Sequence, residues 1–500
     1  MAPMTVQRSP AMRGFGQWLS ATPGRIALCL AAVVLSLLLA AAANLHAASS
    51  AASVIRTIGT DAEPSVVLAL QIGATLSDMD AAAAEDALSG GFSATGASRR
   101  WWEDKARLDD LMVRSARNIT YAKETAALQG LLRWVGEYHA SLAEVRGAAD
   151  PAHPFIATQR LQWSHRLLTE FALPEARALA DANRTPLEAA YGEYNGIVAG
   201  SGILGVSSAL IVSVVLAAVQ VFLWRRTRRM FSPPVVLAAL IGVAMAAGLL
   251  LVTLREREAV RSAKTDCYDS LSALFDAKGV AAAMNADLSY WLLDPAARRA
   301  ASDALNARMD ELLVTGSLDR SRLRANLDAA QRLERDGHPV QAREALPAMS
   351  GLLGKELANV TFGAAERDPA SDTVRFLLDF VQAANRVRSL DAPENRVRAV
   401  LARDTEAVPA LAGLQSALDR TVAVNQVEFD ARIGRAQRLA TWTPIVVCAG
   451  LALIGLLTAA GLWPRYREYM RAPRPPWPRW TRRLPPGATA WPRPAAMSPS

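Results

Sequence analysis

Residues 197–224 have the sequence IVAGSGILGVSSALIVSVVLAAVQVFLW, and residues 225–229 have the sequence RRTRR. The first run holds no charged residue and is long enough to cross the roughly 30 Å hydrocarbon core of a bilayer as one helix. In lipid the backbone must satisfy its own hydrogen bonds, so such a run becomes helical. A core helix of a soluble protein would carry a polar face, which this run lacks. The stretch therefore predicts a transmembrane helix that ends at a basic cluster.

Three further runs have the same character, at residues 26–47, 234–254 and 442–463. Hydrophobic residues make up 51% of the 500-residue chain and the mean hydropathy is +0.12, yet 20% of the residues are charged. These values fit apolar spans that alternate with large water-exposed segments. The first run also has the basic flank of a signal peptide, but it is longer than a usual signal-peptide core, so we expect it to be retained.

Basic residues flank the four spans on one side only. They are Arg8, Arg13 and Arg25 before the first span, Arg225, Arg226, Arg228 and Arg229 between the second and third, and Arg465, Arg467 and Arg471 after the fourth. Excess positive charge in short connections marks the cytoplasmic side.

This rule places segments 1–25, 225–233 and 464–500 in the cytoplasm, with both termini inside, and segments 48–196 and 255–441 outside the cytoplasm. The predicted location is the bacterial inner (plasma) membrane. The high pI of about 9.7 then reflects membrane topology and lipid headgroup contacts, and it argues against nucleic-acid binding.

The two outer segments carry helix signals and almost no strand signals. In segment 48–196 we predict helices at residues 53–88, 99–118, 124–146 and 155–194. In segment 255–441 we predict helices at residues 255–293, 296–314, 318–335, 372–388 and 409–441. Pro174 should kink or restart the last helix of the first segment. Each segment is anchored in the membrane at both ends, so each predicts an up-down helical bundle, and the fold class is all-α with four transmembrane helices.

Two groups of residues in the first outer segment are candidates for binding a ligand or partner. Asp78 and Asp80 lie in its first helix, and Arg99, Arg100, Trp101 and Trp102 open its second. Exposed aromatic rings next to guanidinium groups could bind an anionic small molecule or partner. The alternative is that these residues form solvated helix faces and an N-terminal cap region.

Gly196 and Gly200 stand four residues apart where the second span begins, a spacing that favours close packing of helices in lipid. The overlapping pattern Gly200–Gly205 resembles a nucleotide-binding loop, but it lies in a span and follows no strand, so we reject that function.

No catalytic, metal-binding or cofactor-binding residues are predicted. The five histidines do not have metal-ligand spacing, and no signature of a hydrolase, kinase or nucleotide-binding enzyme occurs. No charged residue lies in the core of a span, which argues against ion-coupled transport. The chain is therefore expected to be non-enzymatic and to need no cofactor.

The cytoplasmic tail is dense in proline, arginine and tryptophan. Proline excludes helix, and cationic and aromatic residues suit an anionic headgroup surface. Three interpretations remain open for this tail: a segment without a function, adhesion to lipid, or docking of a cytoplasmic partner.

Short motifs resemble the GlnX-like family of bacterial four-span membrane proteins. They are Thr60–Ser65 and Leu76–Ala81 in the first outer helix, Leu173–Ala176 in the fourth, Trp291–Asp294 in the second outer segment, and Leu462–Tyr469 at the exit of the last span. The resemblance implies a protein that works beside an amino-acid-binding lipoprotein and a soluble kinase of the protein kinase G type, and that passes a nutrient signal inward.

We therefore expect a signal-relaying membrane protein. Its outer bundles would sense a small ligand or a ligand-loaded solute-binding protein, and helix displacement would reach a cytoplasmic kinase or scaffold through loop 225–233 or the tail. Two alternatives are a structural or assembly protein of the cell envelope and a subunit of a transporter. A homo-oligomer is left open.

Overall fold

The computed structural model describes residues 22–89, 96–147, 154–227, 232–314 and 320–471. Within these ranges every regular element is a helix, apart from an isolated antiparallel bridge between Val314 and Ser350. Four helices are long and apolar enough to cross a membrane. The prediction of an all-α protein with four membrane-spanning helices is therefore confirmed.

The helical elements of the described chain are fifteen α-helices, four π-helical turns and one 3-10 turn at Pro393–Asn395. The helices are α1 (Thr22–Arg56), α2 (Glu63–Leu88), α3 (Gly96–Arg117), α4 (Ala122–Gly147), α5 (Pro154–Arg166), α6 (Leu173–Thr227), α7 (Pro233–Ser262), α8 (Asp269–Leu293), α9 (Arg298–Leu312), α10 (Arg320–Arg335), α11 (Pro339–Glu344), α12 (Leu352–Asn359), α13 (Ala364–Ser389), α14 (Arg396–Ala402) and α15 (Val408–Arg471). The π turns are π1 (Thr57–Ala62), π2 (Leu167–Ala172), π3 (Ala263–Tyr268) and π4 (Arg403–Ala407). Each π turn joins two helices without a break, so four rods result: rod 1 (22–88), rod 2 (154–227), rod 3 (233–293) and rod 4 (396–471).

The π turns have a visible cause in the sequence. In each of them the N–H of the residue after the turn donates to the carbonyl five residues back, for example from Leu173 to Leu168. Pro64, Pro174 and Pro409 follow three of the turns by two residues. Proline has no N–H and clashes with the carbonyl four residues back, so the chain widens at this point. At Pro174 a kink or restart was predicted, and the structure instead has π2, through which rod 2 continues. The fourth turn has Ser270 at the equivalent place.

In the membrane region α1, α6, α7 and α15 pack in a ring in chain order. Their inner faces form one apolar core, which includes Val33, Val212, Ala238 and Ile454. Large apolar side chains cover the outside of the ring. Ile203, for example, is 70% exposed. That outer surface suits lipid, because lipid tails are as apolar as these side chains.

Glycine packing in the ring differs from the sequence-based prediction. A methyl group placed on Gly196 or Gly200 would meet no described atom within 4 Å, so neither residue brings two helices of this chain together. Close contact occurs further along. A methyl group on Gly242 would lie 2.6 Å from Ser213 Oγ, and one on Gly205 would lie 3.2 Å from Asn44 Oδ1. The correction follows from helix direction, since Gly196 and Gly200 face away from the neighbouring rods.

Beyond the spans the two outer segments form one helical body at the same end of the ring. Helix α2 from the first segment packs along α8 from the second. The core around α2 includes Ala286 and Tyr290 of α8, so the segments share buried apolar surface. Both helices are rich in alanine and each contains one glycine and more than one serine, and small residues let neighbours approach from several sides. The sequence analysis treated the segments as two bundles, whereas the structure joins them at this central pair.

Candidate functional site

A cavity of about 590 Å³ lies where the two outer segments meet. Helix α2 forms one wall with Ala69, Gly73 and Ser77, which recur every fourth residue and so share one face. Helix α8, which packs along α2, forms the adjoining wall around Gly279. Residues of rod 2 on both sides of π2 form a third wall, and α9 closes the fourth. The small side chains of α2 and α8 leave the space that larger residues would fill.

The floor of the cavity is a buried polar group. Asp80 is 2% exposed, and its Oδ2 lies 2.7 Å from Nδ1 of His165, which precedes π2. The Tyr290 hydroxyl donates to Asp80 Oδ1 at 3.4 Å, and the His165 and Tyr290 rings lie 4.6 Å apart. Burial alone would lower the pKa of His165, but the Asp80 carboxylate outweighs it and the pKa is raised. Asp80 therefore favours the charged form of a histidine that lies between both outer segments.

A second ion pair fixes the α9 wall. Arg308 Nε donates to Asp287 Oδ2 at 2.6 Å, and the Asp287 side chain is 7% exposed. Burial raises the pKa of Asp287, and Arg308 opposes that rise. Since Arg308 lines the cavity and Asp287 belongs to α8, the pair holds a cation at the cavity surface.

The mouth of the cavity carries charges of both signs. Arg177, Asp181 and Arg184 come from α6, and Asp276 and Glu311 come from α8 and α9. The Arg184 guanidinium donates to Ser272 Oγ at 3.0 Å, which ties rod 2 to rod 3. A cavity of this size with fixed charges of both signs suits a small polar molecule.

The side chains of the cavity suit recognition of a charged ligand. His165 uses Nδ1 for Asp80, and no serine, threonine or cysteine is hydrogen-bonded to its ring in the described part of the chain. In those same ranges no group of three or more His, Cys, Asp or Glu side chains could hold a metal ion. The side chains can recognise a charged ligand, and we see no activated nucleophile.

Of the predicted site residues, Asp80 lies in this cavity and Asp78 does not. Two residues apart on a helix, they point to opposite faces. Asp78 lies in a second cleft of about 170 Å³, where Gln415 Nε2 donates to Asp78 Oδ1 at 2.7 Å and Lys278 pairs with Asp419 at 2.5 Å. Burial, with Asp104 nearby, raises the pKa of Asp78 to about 7.

The predicted group at residues 99–102 is divided. Arg100 donates to Glu85 at 2.5 Å and lines the second cleft, while Arg99 is exposed. Trp101 is 3% exposed and belongs to the core, and Trp102 packs edge-on against it at 4.8 Å. The guanidinium over the Trp101 ring, at 4.1 Å, comes from Arg146 of α4. Residues 99–102 therefore do not form one exposed surface of rings and guanidinium groups, and a role in binding an anionic ligand or partner stays a prediction.

The basic residues that set the topology are described in part. Arg225 and Arg467 are exposed, Arg465 is half-buried, and Arg226 and Arg471 belong to helices α6 and α15. Arg8, Arg13, Arg228 and Arg229 lie outside the described residues.

Sequence reasoning missed His165, Tyr290 and Arg308. Nothing in the sequence separated His165 from the other four histidines, since its partner lies 85 residues earlier. The available signal was its place just before the Pro174 break, where a widened helix often accompanies a functional site.

Residues 54–192 match the family model described as an actinobacterial sensor domain. This range begins in α1 just before π1 and ends inside α6, so it contains Asp80, His165 and the rod 2 wall of the cavity. No curated protein and no solved structure matches the chain. Together with the four membrane-spanning helices, the match supports a bacterial, multi-pass membrane protein of the sensor type.

Proposed function

We propose that this chain is a non-enzymatic transmembrane sensor. A small polar ligand, or the part of a solute-binding protein that presents one, occupies the cavity and shifts rod 2 against α2 and α8. One observation carries the proposal: α6 begins at the cavity wall with Leu173 and continues as one helix to Thr227, beyond the second span. Its 55 residues extend for about 80 Å at 1.5 Å per residue.

The direction of the signal rests on charge. Arginine-rich connections at the far end of the span ring favour a cytoplasmic location for that end, which places the helical body outside. Output would pass through loop 225–233 or the tail to a kinase or scaffold. The sensor-domain match and the resemblance to the GlnX-like family support such partners, and a solute-binding protein is the proposed partner on the outside.

A matched pair of variants tests the relay without a known ligand. Ala176 is 2% exposed and lines the cavity, while Ala178 is exposed on another face of α6. In a background with the three cysteines replaced, spin labels at Trp224→Cys and Trp463→Cys report the separation of rods 2 and 4 at the far end of the ring. We expect Ala176→Trp to fill the cavity and change that separation by about 1–2 Å, the usual scale of helix shifts at interfaces.

Ala178→Trp adds the same side-chain volume on a solvent-exposed face of α6, so it should leave the separation of rods 2 and 4 unchanged. Equal distance distributions in both variants would contradict the relay and favour a static envelope tether, because a tether needs no motion across the membrane. A shift in both variants would also contradict the proposal, since the cavity would then be irrelevant.

A further inference from the structure

Two glutamates and one asparagine form a buried cluster, and none of the three lines the ligand cavity. Glu356 belongs to α12, Glu366 to the first turn of α13, and Asn425 to α15, and their exposed fractions are 2%, 0% and 0%. Asn425 Nδ2 donates to Glu366 Oε1 at 3.0 Å and to Glu356 Oε1 at 3.4 Å. The two carboxyl groups therefore share one amide donor.

The cluster leaves two oxygens without a partner. Glu366 Oε2 accepts the backbone N–H groups of Thr361 and Phe362 at 2.8 and 3.0 Å. By contrast, Glu356 Oε2 and Asn425 Oδ1 are buried and have no hydrogen bond of good geometry, although the Ser270 hydroxyl lies close enough to Glu356 to oppose the rise of its pKa. A buried polar atom without a partner is costly, and one added hydrogen on Glu356 would supply a donor where two acceptors stand unpaired.

The surrounding charges compensate the pair only in part, since Arg367 lowers the pKa of Glu366 but does not offset the effect of burial. Arg367 is fully buried, but it contacts Glu334 at 3.3 Å and donates to the Leu357 carbonyl at 2.9 Å. The other charged or titratable groups around the cluster are Arg343 of α11, Lys355 of α12, Asp266 and Cys267 of π3, and Glu428 and Arg432 of α15. Arg432 pairs with Glu428 at 2.7 Å. With both glutamates ionised, the cluster would hold uncompensated negative charge away from water.

We infer that Glu356, Glu366 and Asn425 form a binding site for a single proton, and that loss of this proton loosens α12 from rods 3 and 4. The inference adds acidity as a second input and does not depend on the ligand cavity. It agrees with the direction of titration, because burial and the neighbouring Glu366 raise the pKa of Glu356 to about 7.

The site is placed where it can act on both rods. Asn425 lies in rod 4, and Asn359, at the end of α12, donates to Ser270 Oγ at 2.8 Å and to the Thr265 carbonyl in π3 at 3.1 Å. Gly351 precedes α12 with φ of 89°, a conformation that other residues rarely adopt, so the chain can turn at this point. Two ionised carboxylates on one amide would repel each other and push α12 from α13, which weakens the contact of α12 with Asn425 of α15.

Unfolding of the full chain in lipid nanodiscs, compared with Glu356→Gln, tests the proposal. The glutamine stays neutral, so the variant lacks the loss of stability that Glu356 causes in the wild type as pH rises from 4.5 to about 7. We expect the thermal midpoint of Glu356→Gln to rise relative to wild type across that window. The underlying change is on the order of a hundredfold in the folded-to-unfolded ratio. Glu344→Gln, at an exposed carboxylate of α11, should stay parallel to wild type.

Infrared spectroscopy keeps the test valid if the variant folds poorly. The wild type should show the carbonyl band of a protonated carboxylic acid that disappears on alkalisation. The control variant Glu344→Gln should show the same band with nearly the same intensity. The inference would be overturned if the midpoints of Glu356→Gln and wild type changed in parallel with pH. It would also be overturned if the spectrum of Glu356→Gln kept every protonated-acid band that the wild type shows. Calcium chloride added above pH 7 would also overturn it if it stabilised the wild type and not Glu356→Gln, because the site would then hold a metal ion.

Discussion

The Asp80–His165 pair gives a sharp test of the cavity floor. Asp80→Asn keeps the shape of the side chain and removes its charge. Breaking a buried ion pair can cost about 3–5 kcal/mol when one charge is stranded. His165 escapes that penalty, since its ordinary pKa of 6.5 lets it lose the proton near neutral pH. The expected loss is therefore that of a charge-assisted hydrogen bond, about 1.5–3 kcal/mol.

The loss should depend on pH in a defined direction. Asp80 raises the pKa of His165 against the effect of burial. A group whose pKa is raised in the folded state stabilises the fold fully below its unfolded value, here 6.5, and that contribution disappears as pH rises through the folded value. Asp80→Asn should therefore be most harmful below pH 6.5 and progressively less harmful in alkaline buffer.

Thermal unfolding of the full chain, followed by tryptophan fluorescence, measures this effect in a double-mutant cycle with His165→Gln. The coupling energy between the two positions should be large below pH 6.5 and small in alkaline buffer. Asp78→Asn, on the opposite face of α2, should show no coupling to His165. A coupling energy that is the same at both pH values would refute the ionic pair and leave only a neutral hydrogen bond.

Three further outcomes are expected. Gly242→Val should lower the thermal midpoint by the equivalent of about 1–3 kcal/mol through overpacking, while Gly200→Val should be nearly neutral because open space surrounds it. Arg403→Ala should cost about 3 kcal/mol in thermal unfolding, since this buried guanidinium bonds to three side chains on α2 and α8. Alkaline phosphatase fusions at Asp150 and at Asp336 should both be active, and an inactive fusion at either place would contradict the proposed orientation.

The sequence predicted the elements of this fold well because their signals are local. Uncharged runs and arginine flanks do not depend on distant contacts, and the α4 prediction at residues 124–146 agrees closely with Ala122–Gly147. The short helices α11, α12 and α14 were missed, since short helices depend on tertiary packing more than on propensity.

The site was less accessible to sequence reasoning, because it depends on pairings between distant segments. Asp80 meets His165 and Tyr290 at separations of 85 and 210 residues. The periodicity of α2 places Asp78 and Asp80 on opposite faces, yet it does not show which face meets a cavity. Trp101 was grouped with exposed rings, yet it packs in the core with Leu108 and Leu111, and Arg146 covers its ring.

The π turns connect these two levels of organisation. Each rod packs in the helical body at one end and in the lipid-facing ring at the other. A regular α-helix would present one continuous apolar stripe to both environments. A π turn adds a residue and rotates the stripe, so the faces above and below it can differ. In rod 2 the cavity spans that turn, with His165 before it, Thr169 inside it and Arg177 after it. A ligand that contacts all three residues would act on the π turn that sets the rotation of rod 2. A relay into the membrane requires a change of this kind in a membrane-spanning helix.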